Sequence, residues 1–337
     1  LLDFYKSNPG FIFPESRRNE VVSFVKGGLK DLSVSRTSFS WGIQVPNNKN
    51  HIIYVWLDAL TNYLSATNFP DKDNKLYKNF WPASLHIIGK DILRFHAVYW
   101  PAFLLAANIE PPKRIFSHGW ILSGDEKMSK SKGNILDPIE IIDKYGVDQL
   151  RYYLMKEVSH GSDGTISLKN LETCINSDLA NNFGNLCQRI FSFIKSNCNN
   201  EVVKSTKISS NDKKFIKEIE TLTKNLRDDI NSQNLNNYIK SVIKMSFLTN
   251  KYINDEEPWK LKKNDTNKMN NILHISLVNI GKIAMLLNPI IPLSTVKVLD
   301  ALNLKKENRN LSFLDGKFLL QDKVKVNNLD ILFKKIN

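Results

Sequence analysis

Three short apolar runs, separated by helical patterns, restrict the chain to an α/β fold. Residues 51–57, 85–89 and 115–118 are rich in β-branched and aromatic side chains, which is typical of parallel strands buried on both faces. Apolar residues at helical spacing lie between the runs. Asp58 can cap the first of these helices, and the second is expected from Ile92 to Ala107 with a kink at Pro101. Strand, helix, strand, helix, strand in this order predicts a parallel sheet with right-handed crossovers.

The segments that follow these strands are candidate ligand sites, since ligands bind beyond the carboxyl ends of parallel strands. Gly89-Lys90-Asp91 follows the second predicted strand. A glycine there lets a nucleotide approach the backbone, and an aspartate accepts hydrogen bonds from ribose hydroxyls. The pattern is weakly specific, and a simple helix cap explains it about as well.

Helices are also expected after the third strand. Asp137-Pro138 starts one that ends near residue 146, a second runs over about 147–157, residues 161–165 form a turn, and Ser167 caps a further helix.

The second half of the chain has a different pattern. From about residue 176 onward, apolar residues recur at helical spacing and strand signals are few. The helical stretches are 181–194, 213–226, 235–252, 269–287 and 294–302. We therefore predict an all-α domain that ends in a basic tail.

The charge balance favours a polyanionic partner. The chain has 337 residues, a net charge of +13 and a pI near 9.4, so nucleic acid is the first candidate, although lysine-rich genome composition is an alternative. Three isolated cysteines without CxxC spacing predict reduced thiols, no metal site, no zinc ligands and a cytoplasmic location. No apolar run reaches membrane-spanning length, so we expect no membrane partner.

A cationic stretch follows the third predicted strand. It begins Lys127-Met128-Ser129-Lys130-Ser131 and continues to Asn134. Lysines that repel one another favour a polyphosphate ligand, because compact ammonium groups on flexible stems can follow a departing phosphate. A solvated basic turn is the alternative, and it is the commoner case for lysine clusters in general.

Aromatic residues at helical spacing form another candidate site. Trp56, Leu60 and Tyr63 are four and three residues apart, and Ile92 and His96 are four apart, so each set shares one helix face. If the two faces meet, they form an aromatic box with two polar tips, which suits an unbranched thioether. Spacing alone favours ordinary core packing; an inward-facing histidine and tyrosine argue for a pocket.

A third candidate site lies in the helical half. Asn185 and Arg189 are four residues apart, and Pro258 places Trp259 in the first turn of a helix. An amide, a guanidinium and an indole can hydrogen-bond and stack with splayed RNA bases. A surface pair and a half-buried tryptophan are the alternative that spacing alone favours.

Six motifs carry a family resemblance. They are YVWLDAL at 54–60, IGKDI at 88–92, FH at 95–96, YWPA at 99–102, HGW at 118–120 and KMSKSKGN at 127–134. In this order they resemble the methionyl-tRNA synthetases, a family of class I aminoacyl-tRNA synthetases. The resemblance implies the second half of a Rossmann-like parallel-sheet nucleotide-binding domain, followed by an all-α anticodon-binding helical bundle.

One departure from the family pattern is that its first signature, His-x-Gly-His, is absent from the chain. Because the chain also begins at Leu1 without methionine, we expect a fragment that lacks the first half of the fold. We assign residues 1–40 to the end of a connective insertion and 41–122 to the second half of the Rossmann-like domain. Residues 123–175 are assigned to the KMSKS loop with a stem-contact region, and 176–337 to the anticodon-binding domain with its tail.

The resemblance also implies roles for individual residues. The methionine pocket would be lined by Trp56, Ala59, Leu60, Tyr63, Ile92 and His96. ATP would be bound by Gly89, Asp91, His118, Gly119, Trp120, Ile121, Lys127 and Lys130, the two lysines being catalytic. The anticodon of the tRNA would be read by Asn185, Arg189 and Trp259.

The implied function is that of a methionine–tRNA ligase. Its partners would be L-methionine, tRNA(Met), and ATP with Mg²⁺ as the substrate complex, and we expect a monomer. Two alternatives stay open. The chain as given could be a non-catalytic tRNA-binding module, or it could come from a class I synthetase for another amino acid, although the aromatic box argues against small branched side chains.

Overall fold

The computed structural model of the chain describes residues 1–124, 126–128, 135–158, 161–205, 207–317 and 319–336. The chain divides into two compact units. The first unit comprises Leu1–Trp120 and Gly161–Asp163, and the second comprises Ile121–His160 and Gly164–Asn337. The four segments assigned from the sequence (1–40, 41–122, 123–175 and 176–337) stay predictions, because a division into compact units does not test their functions.

The first unit combines short strands with α-helices. The strands are β1 (Ile12–Phe13), β2 (Ser35–Arg36), β3 (Gln44–Val45), β4 (Asn48–Ile53), β5 (His86–Gly89) and β6 (Ile115–His118). The helices are α1 (Leu2–Ser7), α2 (Glu15–Lys26), α3 (Val55–Ser65), α4 (Lys75–Phe80) and α5 (Trp100–Ala106). A 3₁₀ turn over Lys90–Ile92 and a π-helical turn over Phe95–Tyr99 precede α5.

The predicted parallel sheet is present, in the order β1-β6-β5. Both neighbouring pairs are parallel, and Gly89 at the end of β5 is in register with His118 at the end of β6. Ile12 and Ile115 are almost fully buried, as expected for strands covered on both faces. The two turns predicted to carry ligand groups therefore leave the sheet at the same edge.

The first apolar run does not belong to this sheet, contrary to the prediction. Within residues 51–57, β4 ends at Ile53 and pairs antiparallel with β2 and β3, while α3 begins at Val55. The run spans a strand-to-helix junction, and apolar runs alone cannot distinguish a strand from a buried helix. The third parallel strand is instead β1, so residues 1–40 contribute to the sheet, which their assignment to an insertion did not anticipate.

Of two helix predictions in this unit, one was wrong and one was confirmed. Asp58 does not cap α3, because the cap residue is Tyr54 and Asp58 lies inside the first turn. There the positive end of the helix dipole stabilises its negative charge. The helix expected from Ile92 to Ala107 is present as consecutive 3₁₀, π and α segments without a break in the helical backbone. Pro101 directly follows the π-helical turn and lies inside this helical run, where its missing N–H leaves one backbone hydrogen bond unmade. The kink expected at Pro101 stays a prediction.

The second unit begins with a small sheet and continues as helices. Its strands are β7 (Ile121–Ser123), β8 (Glu126–Lys127), β9 (Gly164–Ile166), β10 (Glu201–Val203) and β11 (Lys323–Lys325). Its helices are α6 (Pro138–Tyr145), α7 (Val147–Glu157), α8 (Leu168–Cys174), α9 (Asn185–Asn197), α10 (Ser210–Thr223), α11 (Leu226–Asn231), α12 (Leu235–Glu256), α13 (Pro258–Leu261), α14 (Thr266–Leu287) and α15 (Pro292–Ala301). A π-helical segment, Ile175–Gly184, joins α8 to α9.

Cap residues explain several of these boundaries. The Asp137 side chain accepts a hydrogen bond from the Ile139 N–H at the start of α6, and Ser167 caps α8 in the same way. Both helix starts confirm the predictions. The turn expected at 161–165 instead enters β9, and an antiparallel pair, β10 with β11, interrupts the predicted all-α region.

One helix, α14, is long and apolar enough to cross a membrane by length and composition alone, which the sequence did not lead us to expect. Of its most apolar window, 83% is buried inside the protein. Residues such as Leu273, Leu277 and Ile280 are fully buried in the core of the second unit. This burial is typical of the central helix of a globular core.

Candidate functional site

An aromatic pocket lies in the first unit, where α3 faces the π-helical turn. The Tyr63 hydroxyl and His96 Nε2 are 2.9 Å apart, and His96 Nδ1 is 3.0 Å from the carbonyl oxygen of Ile92. A carbonyl can only accept, so Nδ1 carries the proton, and in the neutral ring Nε2 accepts the hydrogen bond from the tyrosine. The two polar tips predicted for the box therefore meet.

Tryptophan and phenylalanine rings extend this pocket. The Trp56 ring centroid is 6.2 Å from that of His96, and Trp56 stacks on Phe95 at 3.8 Å. Trp100 lies 6.2 Å from Tyr63. The structure thus brings Trp56, Tyr63 and His96 together as predicted, while their role in binding methionine stays a prediction.

The remaining predicted pocket residues have different surroundings. Leu60 is fully buried in the core around Trp100, whereas Ala59 is exposed. Ile92 packs against the neighbouring core cluster that contains Leu93. The described contacts place its carbonyl, rather than its side chain, beside His96.

Sequence reasoning missed His86, which lies on β5 beneath the pocket. Its ring is 4.2 Å from the Tyr63 ring and 6.3 Å from the His96 ring, and only 6% of the residue is exposed. Burial, and then the neighbouring His96, lower the pKa of His86 to about 4. Burial also lowers the pKa of His96. Both rings are therefore neutral at physiological pH, and the pocket carries no charge of its own.

Trp100 and Phe95 were also missing from the predicted pocket. Phe95 immediately precedes His96, and Trp100 is four residues after His96. The helical spacing that selected His96 could therefore have selected Trp100. No comparable signal marks His86, because a lone histidine on a strand has no periodicity to place it.

The strand-end residues form a second cluster in the first unit. Lys90 Nζ is 2.7 Å from Asp163 Oδ2, and the Trp120 backbone N–H donates to Asp163 Oδ1 at 2.9 Å. The Lys90 ammonium also lies 3.9 Å from the centre of the Trp120 ring. The hydrogen bonds from Lys90 and Trp120 lower the pKa of Asp163, a residue that the sequence did not identify.

Glycine at position 119 is required by a close backbone approach. A Cβ there would lie 2.1 Å from the carbonyl oxygen of Ser162, closer than any real contact. His118 Nδ1 donates to the Gly119 carbonyl oxygen at 2.8 Å, and Asp91 is exposed. The predicted residues Gly89, Asp91 and His118 thus lie together at the sheet edge, and their binding of ATP stays a prediction.

The other predicted ATP residues belong to the second unit. Ile121 begins β7 and is 40% exposed. The backbone of Lys127 pairs with Leu122 in the β7–β8 hairpin. The side chain of Lys127 and all of Lys130 lie outside the described part of the chain, so their catalytic role rests on the sequence motif.

The predicted RNA-reading residues gather on the surface of the second unit. Arg189, on α9, donates from Nη2 to Asn254 Oδ1 at 2.7 Å and from Nη1 to Asn250 Oδ1 at 3.5 Å. Its guanidinium carbon is 5.9 Å from the ring centre of Trp259, which is 42% exposed. Asn185 is exposed one helical turn before Arg189. We name Asn185, Arg189, Asn254 and Trp259 the amide–indole surface.

Metal ligands are sparse in the described ranges, which contain no group of three His, Cys, Asp or Glu side chains close enough to hold an ion. The three cysteines are unpaired. Burial raises the pKa of Cys174 to about 12 and raises that of Cys187 further. These thiols therefore stay protonated and are poor metal ligands.

Two family models match the chain. One, described as tRNA synthetases class I (M), matches residues 1–191, and the other, described as the anticodon binding domain of methionyl tRNA ligase, matches residues 202–337. The methionine–tRNA ligase of Rickettsia felis is 50% identical over 325 residues, which are 95% of this chain and 63% of that protein. That of Rickettsia typhi is 48% identical over 340 residues, covering 100% and 67%.

Solved structures are similar as well. The crystal structure of Mycobacterium tuberculosis methionyl-tRNA synthetase bound by methionyl-adenylate is 42% identical and superposes with a TM-score of 0.93. The match covers 99% of this chain and 66% of that one. The apo form of the same protein superposes with a TM-score of 0.92 at 39% identity. The chain thus spans about two-thirds of the length of these relatives.

Proposed function

Because the chain belongs to the methionyl-tRNA synthetases, a family of class I aminoacyl-tRNA synthetases, we propose that the whole protein joins L-methionine to tRNA(Met) in an ATP-dependent reaction. The methionine carboxylate attacks the α-phosphate of MgATP, and the bond to the β-phosphate breaks to release pyrophosphate. The 2′-hydroxyl of the terminal tRNA ribose then attacks the carbonyl carbon of methionyl-adenylate. The ester forms, AMP leaves, and the hydroxyl proton passes to solvent.

The observation that carries this proposal is the uncharged aromatic pocket. The side chains of Trp56, Tyr63 and His96 lie together, and the two polar tips are hydrogen-bonded to each other. Such a pocket suits a polarisable, uncharged thioether and disfavours a charged side chain. We propose that it holds the methionine side chain, with Ala59, Leu60 and Ile92 as its further apolar neighbours.

The nucleotide would lie at the sheet edge. Gly89 and Asp91 would bind the adenosine, and the segment from His118 to Ile121 would lie beside the adenine. Lys127 and Lys130 would neutralise the charge that develops on the departing pyrophosphate, together with Mg²⁺ from the substrate complex. Catalysis would thus consist of orientation and charge stabilisation, without a covalent enzyme intermediate.

The amide–indole surface would recognise the anticodon. The match of residues 202–337 to an anticodon-binding domain supports this role for Asn254 and Trp259, and the hydrogen bond from Arg189 to Asn254 links α9 to them. Arg189 offers donors in a fixed plane, and Trp259 offers a half-exposed ring on which a base can stack. We also propose a monomeric, cytoplasmic enzyme, since its tRNA substrate is used there.

Replacing Lys130 tests the catalytic proposal. We expect Lys130→Ala to slow adenylate formation by about 10²–10³-fold, the usual effect of losing one transition-state donor. Methionine-dependent pyrophosphate exchange by the full-length protein measures this rate. Lys132→Ala removes the same charge from the same segment and should cost less. Equal losses would show that total charge, rather than the position of Lys130, matters, and an unchanged Lys130→Ala rate would remove this lysine from the mechanism.

A second function is favoured by the length of the chain. The 337 residues span about two-thirds of the relatives and include the matched anticodon-binding region, so the chain alone could bind tRNA without activating methionine. Incubating it with ATP and labelled methionine, and measuring tRNA binding separately, distinguishes the two functions. Specificity for another amino acid finds no support in the relatives described above, which are all methionine enzymes.

A further inference from the structure

An exposed stripe runs along α12. Lys240, Lys244, Phe247, Lys251 and Asn254 are spaced by four, three, four and three residues, so they share one face of the helix. All five are exposed, and Phe247 is 63% exposed, an unusual setting for an aromatic side chain without a partner surface. We name these residues the α12 stripe.

The charged residues of the stripe are all basic. Residues 235–254 contain three lysines and no aspartate or glutamate, and Asp255 is the first acid on the helix. Within the described ranges none of the three lysines forms an ion pair. Helix α10 offers a contrast, because its three exposed lysines share the helix with two exposed acids, Glu218 and Glu220. A solvated helix normally mixes its charges in this second way, so the α12 stripe fits an anionic partner.

The stripe also ends at the proposed RNA site. Asn254, its last member, accepts the hydrogen bond from Arg189 Nη2, and Trp259 follows on the next helix, α13. From Lys240 to Asn254 the helix rises about 21 Å, at about 1.5 Å per residue. This length accommodates several consecutive phosphates of one strand. The three ammonium groups and the amide–indole surface therefore form one continuous face.

We propose that the α12 stripe binds the sugar–phosphate backbone of tRNA beside the anticodon, with Phe247 stacked on one unpaired base. This inference rests on the proposed function and extends its RNA site. Lysines bind phosphate as point charges, and bases inside a duplex are not available to a phenyl ring. Phenylalanine has no hydrogen-bonding group, so the stripe contributes affinity but does not read the anticodon sequence.

Salt dependence of tRNA binding tests the lysines. In the 337-residue chain, the triple variant Lys240→Gln, Lys244→Gln, Lys251→Gln should reduce the slope of log K against log salt by about 2–3, at about 0.7–0.9 for each lost phosphate contact. The control replaces Lys213, Lys214 and Lys217 of α10 by glutamine, which removes the same charge from an exposed mixed-charge helix. Its slope should stay close to that of the unaltered chain.

The role of Phe247 is tested by removing its ring and then replacing it with another aromatic ring. We expect Phe247→Ala to weaken tRNA binding about 5- to 150-fold, the effect of losing one base stack, and Phe247→Trp to restore it. The loss should be the same for cognate tRNA and for a tRNA with an exchanged anticodon, unlike the loss caused by Trp259→Ala. Circular dichroism checks that each variant retains its helices.

The outcomes separate this inference from the proposed function. If the unaltered chain binds no tRNA, the proposed RNA site itself is wrong. If it binds and Trp259→Ala weakens binding, but the α12 and α10 triple variants behave alike, the stripe is a solvated face and the inference fails. The inference also fails if the α12 triple variant binds tRNA as well as the unaltered chain but loses binding to an acidic protein, since the partner of the stripe would then not be RNA.

Discussion

The aromatic pocket of the first unit and the amide–indole surface of the second pair similar groups, but they differ in the burial of the nitrogen-bearing side chain. Their aromatic residues are similarly exposed, Tyr63 at 38% and Trp259 at 42%. In the pocket, an aromatic hydroxyl bonds to His96, which is 2% exposed and neutral. On the surface, an indole lies beside Arg189, and Trp259 is 42% exposed. Each site thus combines an aromatic ring with a nitrogen-bearing side chain, but only one of them carries charge.

Burial explains this difference and what each site can bind. A buried histidine loses its proton because desolvation disfavours the charged form, which leaves a neutral pocket for an uncharged side chain. A guanidinium stays charged at any physiological pH, and at the surface it can meet a polyanion. Substitutions in the pocket should therefore affect folding first, and those at the surface should affect binding first.

The largest expected effect is on folding. Trp100 is 1% exposed and packs against Tyr63 and Trp81, so Trp100→Ala should lower the free energy of unfolding by about 3–5 kcal/mol, the usual cost of deleting a buried aromatic side chain. Urea denaturation followed by tryptophan fluorescence measures this in the first unit, which holds five of the six tryptophans.

The matched control is another tryptophan of the same unit. Trp41 is 88% exposed, and Trp41→Ala should change the free energy of unfolding by less than about 0.5 kcal/mol. Equal destabilisation by the two substitutions would contradict the importance of burial for this pocket.

Periodicity predicted the parts of the molecule where it is strong. The helices α6, α7 and α12 begin at the expected residues. The 3.6-residue spacing put Trp56 and Tyr63 on one helix face and His96 on another, but only the structure shows that the two faces meet. It failed where one apolar run crosses a junction, as at β4 and α3. It also missed His86 and Asp163, because both reach their sites through pairings distant in sequence.

The surface should respond in the opposite way to the pocket. Trp259→Ala should weaken binding of tRNA with the cognate anticodon by about 1–3 kcal/mol, the value of one base stack. Because the side chain is half-exposed, the free energy of unfolding should change much less than with Trp100→Ala. Filter binding against a tRNA with an exchanged anticodon provides the control. A similar loss for both tRNAs would mean that Trp259 supports the surface without reading the anticodon.

The smallest expected effect concerns the polar tips of the pocket. Tyr63→Phe removes only the hydroxyl that bonds His96 Nε2, an interaction worth about 0.5–1.5 kcal/mol. If the pocket holds the methionine side chain, KM for methionine in pyrophosphate exchange should rise about 2- to 13-fold while KM for ATP stays unchanged. Tyr77→Phe, in α4 of the same unit, is the control for loss of a hydroxyl and should leave both constants unchanged. Equal increases in KM for methionine and for ATP would show that the hydroxyl supports the whole site. The pocket would then not be a specific methionine site, and its contrast with the charged RNA surface would no longer hold.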